Sequence, residues 1–537
     1  MAKAQTPEIV TLSAAQLEQL LQELHALLPP ATYKMVESLL RTLQWLLGAI
    51  EEKKTSLRRL RRIIFGAKTE KTANLFPKDQ EASTAPEGTK PKTTRKGKGH
   101  GRNAAEDYPG AKRIWIAHPL LKIGCLCPKC LKGKLYRLKE PARLVRIMAQ
   151  PIFSAVIFEL ERLRCALCGA VFTAPAPPEA GLTKYDSSVG IMLVIMRYGA
   201  GLPMYRMDKW QIHFGVPLPA GTQWELIVET SKAPHLIYDA LILAAAQGQL
   251  VHNDDTPMRV QSLSQEIASQ GENAERTGIF TTAIIARVGA IQIALFFTGH
   301  RHAGENLGRV LQLRSGELEK PLQMCDALSH NKPKEAETDL CNCLGHARRN
   351  FVDQIENFPE ECRHVIESFR QIYHHDAQTK ELKLTDVERL AFHQEHSRPV
   401  MDQLKAWMQE QIDQKRVEPN SGLGQAIRYM LKHWHPLTRF LEVAGAPLDN
   451  NICERALKMA ILHRKNSLFY KTLRGAQVGD IFMSLLHTCQ LNGVNPFDYL
   501  MALVEHAPRV EQDPAHWLPW NYRQALDSLA LDSLNTS

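Results

Sequence analysis

From residue 248 the sequence changes rhythm, and the segment that begins there narrows the fold more than any other stretch of its 537 residues. "QLVHNDDTPMRV" (249–260) reads as a strand carrying Asp254 and Asp255. "GIFTTAIIARV" (278–288) and "IQIALFFTG" (291–299) follow as two more strands. "GENLGRVLQL" (304–313) has helical spacing, and "PLQMCDAL" (321–328) is a fourth strand with Asp326 near its end.

Three strands, a helix and a fourth strand are the opening order of a ribonuclease-H-like fold. In that fold the first strand and the end of the fourth lie side by side at the sheet centre, where carboxylates can share metal ions. A third carboxylate is expected from a later helix, and "PLDNNICERALKMAIL" (447–462) supplies Glu454, with Asp449 or Asn450 as N-cap. The stretch between Asp326 and Glu454 is far longer than the fold needs. The periodicity of "VERLAFHQEHSRPVMDQLKAWMQEQI" (387–412) makes the excess a helical insertion, about 352–445. Hard carboxylate oxygens select Mg²⁺ or Mn²⁺. Two such ions ~3.5–4 Å apart can activate a water or 3′-hydroxyl and stabilise the leaving oxygen of a phosphodiester. Each acid alone has a plainer reading: Asp254 and Asp255 can end a strand, and Glu454 can pair with Lys458 one turn on.

Upstream, Cys127 and Cys130 in "CPKC" and Cys165 and Cys168 in "CALCG" are two knuckles separated by the stretch from Leu131 to Arg164. That spacing predicts a four-thiolate Zn²⁺ site in a β-rich, ribbon-like module over 111–175, with Cys125 as a substitute ligand. A filled tetrahedral site leaves no open position for hydrolysis, so its role is structural or DNA-binding. After the hinge "APAPPEAG" (174–181), residues 187–197, 203–214 and 219–231 read as helices. The last two, joined through Gly215-Val216, fit either a helix-turn-helix or plain helical packing within 182–235. In the first case Thr222, Gln223 and Glu225 would meet base edges.

Residues 1–72 carry a leucine seam: Leu17, Leu21, Leu24 and Leu28, then Leu39 to Ile64 at the same 4-3-4 spacing. The seam predicts coiled-coil helices, for self-association or for a hairpin packed on its own domain. Beside it "RRLRR" brings Arg58, Arg59, Arg61 and Arg62, a phosphate-contacting arm or a solvated face. Residues 73–110 lack hydrophobic periodicity and read as a basic flexible linker; six Lys/Arg and no acid lie in 89–102. The net charge of +9 is mild for this length, so a DNA partner must be argued from such clusters. No apolar run is long enough to cross a bilayer, and "MAKAQTPEIVTLS" lacks a signal-peptide pattern. A cytoplasmic, non-membrane protein is therefore expected, nucleoid-associated when on DNA. Close Cys pairs among eleven cysteines suit metal binding in a reducing compartment. No Gly-rich phosphate loop is visible.

The chain resembles the DDE-type transposases of the insertion sequence 66 family over nearly its whole length, from "LRRIIFGAKTEK" (ending at Lys71) to "LNGVNPFDYLMALVEH" (491–506). The motifs that carry the resemblance include "CPKC…CALCG", "GLPMYRMDKW" (201–210), "HNDDTPMRV", "CLGHARRNF" (343–351) and "DNNICERALKMAILHRKNSLF" (449–469). The resemblance implies a multidomain α+β protein. Its parts would be coiled-coil helices (1–72), the linker, the zinc module, the helical segment, a ribonuclease-H-like core (248–480) and a helical C-terminus (481–537). It makes Asp254, Asp326 and Glu454 the catalytic, metal-holding trio. The family's Asp-Glu-Thr is Asp254-Asp255-Thr256 here, and its Asp-Gly-Tyr is replaced by "CDALSHN". Neighbours on a strand face opposite ways, so one of the two acids should hold metal, and motif alignment selects Asp254. His346, Arg348, Arg349, Arg464 and Lys465 flank the acids in the motifs, for DNA phosphates or for surface ion pairs. The implied function is binding of terminal inverted repeats, 3′-end cleavage and strand transfer into target DNA, by a homo-oligomer with accessory proteins from the same element. The competing expectation is a catalytically inactive, zinc-containing DNA-binding protein derived from a transposase.

Overall fold

The computed structural model describes residues 171–271 and 274–536 without a break, together with 14–29, 152–164, Cys168 and shorter pieces of 32–40 and 114–136. The seam positions from Leu39 to Ile64, the arm arginines (Arg58, Arg59, Arg61 and Arg62), the linker 73–110, Cys127 and Cys165 lie outside the described residues. The N-terminal part begins with helix α1 (Ala14–Leu27).

Two compact units are present. The larger gathers Glu81–Ala347, His375–Met408 and Ala426–Ser537; the smaller has Met1–Gln80, Arg348–His374 and Gln409–Gln425. The smaller unit has buried residues of its own, among them Phe351, Cys362, Ile366, Phe369 and Leu423.

The larger unit opens with a short antiparallel pair, β1 (Arg162–Arg164) and β2 (Val171–Thr173). Four helices follow: α2 (Ser187–Val194), α3 (Met204–His213), α4 (Ala220–Thr230) and α5 (Lys232–Ala246). Asp186 starts α2 by accepting from Ser188 N (2.9 Å). The apolar run 191–196 continues as a π-helical turn over Ile195–Gly199.

The sheet is built from β3 (Leu250–Pro257), β4 (Phe280–Val288), β5 (Ile291–Gly299), β6 (Leu322–Cys325) and β7 (Asp339–Asn342), in the spatial order β5-β4-β3-β6-β7. β3, β4 and β5 are antiparallel neighbours; β6 joins β3 in parallel and β7 joins β6 in parallel. A helix α6 (Gln261–Gln270) interrupts the expected strand run between β3 and β4, and β7 is a strand that the sequence pattern does not announce. Helix α7 (Ala303–Leu311) makes the crossover from β5 to β6, with Leu307, Val310 and Leu311 buried. β4 is buried along most of its length, as expected of a central strand covered on both faces.

Beyond β7 the chain is helical: α8 (Leu344–Val352), α9 (Pro359–Glu381), α10 (Asp386–His396), α11 (Arg398–Asp413), α12 (Gly422–Lys432) and α13 (Trp434–Leu437). Then come α14 (Asn451–Ser467), α15 (Leu473–Leu491), α16 (Pro496–Glu505), α17 (Ala507–Gln512) and α18 (Tyr522–Thr536). The whole is a multidomain α+β architecture. No helix of the described residues is long and apolar enough to cross a membrane.

β5 is an edge strand, and an uncovered edge is a template for unwanted pairing. Here α15 covers it with side chains. The amides of Gln292, Ala294, Phe296 and Thr298 donate to Asn492 Oδ1 (3.2 Å), Thr488 Oγ1 (3.0 Å), Ser484 Oγ (2.9 Å) and Asp480 Oδ2 (2.7 Å). Every second strand residue meets every fourth helix residue, because two strand residues and four helix residues advance by nearly the same length, about 6–7 Å.

Candidate active site

β3 and β6 pair Leu250 with Leu322, Val251 with Gln323 and His252 with Met324. Carried two residues on, this register sets Asp254, inside β3, beside Asp326, where β6 ends. Asp326 lies just past β6, in a turn where its Oδ1 accepts from Leu328 N (3.1 Å) and from Asn331 Nδ2.

The pleat of β3 separates its two acids. His252 and Asp254 point to the α14 side. Asp255 points the other way, where its Oδ2 lies 2.9 Å from His302 Nδ1 and accepts from Ala303 N (3.1 Å) at the start of α7.

The position of α14 is set by Asn450. Its buried side chain accepts from His252 Nδ1 (3.0 Å) and donates to Asn253 O (3.1 Å), while its backbone N–H donates to Cys343 Sγ (3.3 Å) after β7. Burial pulls the His252 imidazole down to about 4, so the neutral ring supplies the Nδ1–H this bond needs. Asn450 therefore ties the helix to the sheet and makes no capping bond with its side chain. Asp449 takes that part, accepting from Asn451 N (3.1 Å). One turn further, Cys453 Sγ donates to Ala283 O on β4 (3.3 Å). Glu454 follows at once, half-buried, with Oε1 3.8 Å from His346 Nδ1. Among the described residues no ion pair joins Glu454 to Lys458.

The crowding is felt by Asp254. Burial, and then the charges of Asp326, Asp255 and Glu454, push its carboxyl up to about 7, against the pull of a hydrogen bond from Asp255 N to its Oδ1 (2.9 Å). Asp254 Oδ2 and Asp326 Oδ2 have no hydrogen-bond partner among the described residues. Free oxygens on mutually repelling carboxylates are a donor set that fits Mg²⁺ or Mn²⁺. Glu454 also belongs to a softer group, with Cys343 and His346, whose donor atoms lie within 4.8 Å of one another.

The basic residues divide. Arg464 donates to Thr256 Oγ1 (3.1 Å) and to Pro257 O, on the end of the strand that carries the aspartates. Lys465 lies beside it in sequence, exposed. His346 stands against Glu454 rather than apart on the surface. Arg348, half-buried, and Arg349, exposed, open the segment that belongs to the smaller unit.

Of the cysteine knuckles, Cys130 and Cys168 are described, both exposed, as is Cys125. Leu126 bridges Lys134 across the first knuckle, and the β1–β2 pair flanks the second. In the helical segment α3 and α4 are present as two successive helices, but Gln223 is buried, its Nε2 donating to Leu218 O (2.7 Å) and Met204 O (3.2 Å). It clamps the turn between the helices and cannot meet a base. α4 also carries Glu225 and Glu229, whose charge repels phosphate.

A family model described as "Transposase IS66 family" matches residues 184–478, more than half of the chain. The chain belongs to the transposase IS66 family. Similar relatives include the uncharacterized protein y4jD of Sinorhizobium fredii, 27% identical over 421 residues, covering 73% of this chain and 78% of the relative. Another from the same organism, y4hP, is 23% identical over 421 residues and covers 74% of each. The matched range of this transposase contains all three acids, His346, and the tie between Asn450 and β3.

Proposed function

We propose that this transposase binds the terminal inverted repeats of its own insertion sequence, cleaves their 3′ ends, and joins the new 3′-hydroxyls to target DNA, with Asp254, Asp326 and Glu454 as its catalytic trio. The observation that carries the reading is the crowding of Asp254 by Asp326 and Glu454, acids brought from the sheet crossover and from a late helix. The strand order, an antiparallel trio extended by two parallel strands, supports a ribonuclease-H-like core.

A divalent ion held by the trio supplies charge for the attacking and leaving oxygens of an in-line phosphoryl transfer. The chain's own residues do the rest. Asp254 and Asp326 each hold one oxygen in a backbone hydrogen bond and keep the other available. Asn450 keeps α14 at the distance that brings Glu454 to them. Arg464, fixed to the end of β3, presents positive charge beside the trio for a DNA phosphate, with Lys465 next to it. The four-thiolate Zn²⁺ module of Cys127, Cys130, Cys165 and Cys168, the arm arginines and a homo-oligomeric assembly complete the proposal as DNA-anchoring parts.

The test uses full-length protein with a duplex bearing the element's terminal repeat and a scrambled duplex, in Mg²⁺ or Mn²⁺. Cleavage and joining are expected on the repeat alone. Asp326→Asn and Glu454→Gln should bind the repeat as the native protein does yet neither cut nor join. Variants that keep strand transfer would remove the trio from the chemistry, and binding without catalysis in the native protein would favour the DNA-binding derivative.

A further inference from the structure

The opposite side of β3 carries a second gathering of metal-binding side chains, none of them a member of the catalytic trio. Asp255, His302 and His330 each offer one donor atom, and the three atoms lie within 4.8 Å of one another. They come from separate elements: the end of β3, the residue before α7, and the 3₁₀ turn Ser329–Asn331. The two imidazole rings are 4.6 Å apart between centroids, and Phe280 packs against His302 at 4.2 Å. The Asp255 side chain is only 9% exposed, and that of His302 34%, so the carboxylate is the inner donor and the imidazole the outer one. Gly304 makes the meeting possible, since a Cβ there would run into the Lys332 carbonyl and hold α7 away from the turn that carries His330.

We propose that Asp255, His302 and His330 form a binding site for a first-row divalent transition metal of the zinc class, behind the catalytic face and separate from the cysteine knuckles. Two imidazole nitrogens and one carboxylate oxygen suit Zn²⁺, Co²⁺ or Mn²⁺ far better than Mg²⁺, which takes oxygen donors and keeps its waters. Metal–ligand bonds of about 2.0–2.1 Å set donor atoms roughly 3.3–3.5 Å apart, so the Asp255–His302 hydrogen bond of 2.9 Å would open slightly to admit the ion, and His330, whose donor already lies within 4.8 Å of both, would complete the set by a small side-chain rotation. Arg276 on this side is countered by its two-pronged pair with Glu305 (2.9 and 2.7 Å), which removes one opposing charge.

The site has leverage on both aspartates. Asp255 is bonded in sequence to Asp254, and Asn331, next to His330, donates to Asp326. An ion here would tie together the two segments that aim the catalytic carboxylates, from the side of β3 away from the trio. Asp255, His302 and His330 are positioning residues in this scheme.

Full-length protein stripped of metal and titrated with Co²⁺ tests the site. Thiolate-bound Co²⁺ gives intense near-ultraviolet charge-transfer bands, whereas a nitrogen–oxygen site gives weak visible bands alone. The native protein should take up one molar equivalent without thiolate bands, in addition to any held by the cysteines or by the catalytic acids. His302→Gln and His330→Gln should each weaken that equivalent at least about tenfold. Asp254→Asn and Cys130→Ser should keep it. Unchanged Co²⁺ uptake in both His variants overturns the site, as does loss of the equivalent in Asp254→Asn with retention in the His variants. Should either Gln variant fail to fold by circular dichroism, X-ray absorption of the native protein loaded with Zn²⁺ decides: imidazole scattering supports the site, and its absence overturns it.

Discussion

Two carboxyls in the larger unit are pushed up to about 7, and they have opposite meanings. Asp254 rises because it is buried among other acids, with Asp326, Asp255 and Glu454 all adding to the shift. Asp480 rises through burial alone, and donors from Thr298 N and Oγ1, both at 2.7 Å, pull it back. Asp254 keeps a free oxygen beside a second acid; Asp480 has both oxygens engaged on the edge of β5. A displaced titration points to a site when neighbouring acids add to it beside a free oxygen, and to structure when burial alone drives it and hydrogen-bond donors occupy both oxygens.

The sharpest way to break this contrast is to neutralise each acid in turn. Asp254→Asn should lower strand transfer on the order of a thousandfold without lowering thermal stability at neutral pH, since it removes a buried charge that Asp326 and Glu454 repel. Asp480→Asn should leave strand transfer on the terminal repeat within about twofold, since an amide can keep the bonds to Thr298 and the trio lies elsewhere. Equal losses in the two variants would erase the distinction.

Asp480 should instead govern a pH dependence of stability. Its folded-state carboxyl titrates near 7 and its unfolded-state one near the ordinary carboxylate value, so the folded protein holds a proton that the unfolded chain releases. Its favourable contribution is therefore full below about pH 4, fades as pH rises to about 7, and is absent above. Denaturant unfolding of the native protein and of Asp480→Asn at pH 5 and pH 8 should differ in this window by a few kcal/mol, with the variant the flatter of the two. Parallel profiles would show that Asp480 ionises freely in the fold.

A smaller effect is expected at Asn450, which joins the helix of one acid to the strand of another. Asn450→Ala leaves the His252 Nδ1–H without its acceptor and the Asn253 carbonyl without one donor, at a cost of about 1–3 kcal/mol in unfolding free energy. Because the same bonds hold α14 against β3, strand transfer should fall more than folding does. A stability loss with full activity would mean that Glu454 is held by Cys453 and the helix packing instead.

These residues also mark what a sequence can reveal. The strands at 249–260, 278–288 and 291–299 and the helix at 304–313 are legible because each has one dominant periodicity, and Asp254, Asp255 and Asp326 stand out as acids carried on predicted strands. β7 escapes because four residues, "DLCN", carry no pattern of their own and become a strand only beside β6. α6 leaves little signal because "QSLSQEIASQ" has low apolar content, Leu263 being its buried residue. Asn450 looks like a helix cap from its type and place; its real partners, His252 and Cys343, are 198 and 107 residues away and leave no local trace. Gln223 looks base-facing for the same reason, although the turn before its helix claims its amide.

The ladder on β5 is the least visible feature from sequence, and it gives the finest test. Asp480, Ser484, Thr488 and Asn492 recur every four residues along α15 and its C-cap, a spacing that on a surface helix would read as a polar stripe facing water. They face a strand instead, and Asp480, Ser484 and Thr488 are buried. Thr488 accepts from Ala294 N (3.0 Å) and donates to Ala294 O (3.3 Å). Thr488→Val keeps the shape and removes both bonds, leaving one buried amide N–H without an acceptor. The expected cost is about 1–2 kcal/mol, with strand transfer unchanged at temperatures where the fold holds. Hydrogen exchange should localise the loss, with faster exchange of the Ala294 amide while the β3–β4 amides stay protected. If instead the amides of β3 lose protection together with Ala294, α15 stabilises the catalytic strand itself, and the edge that carries Asp480 and the face that carries Asp254 are one cooperative element.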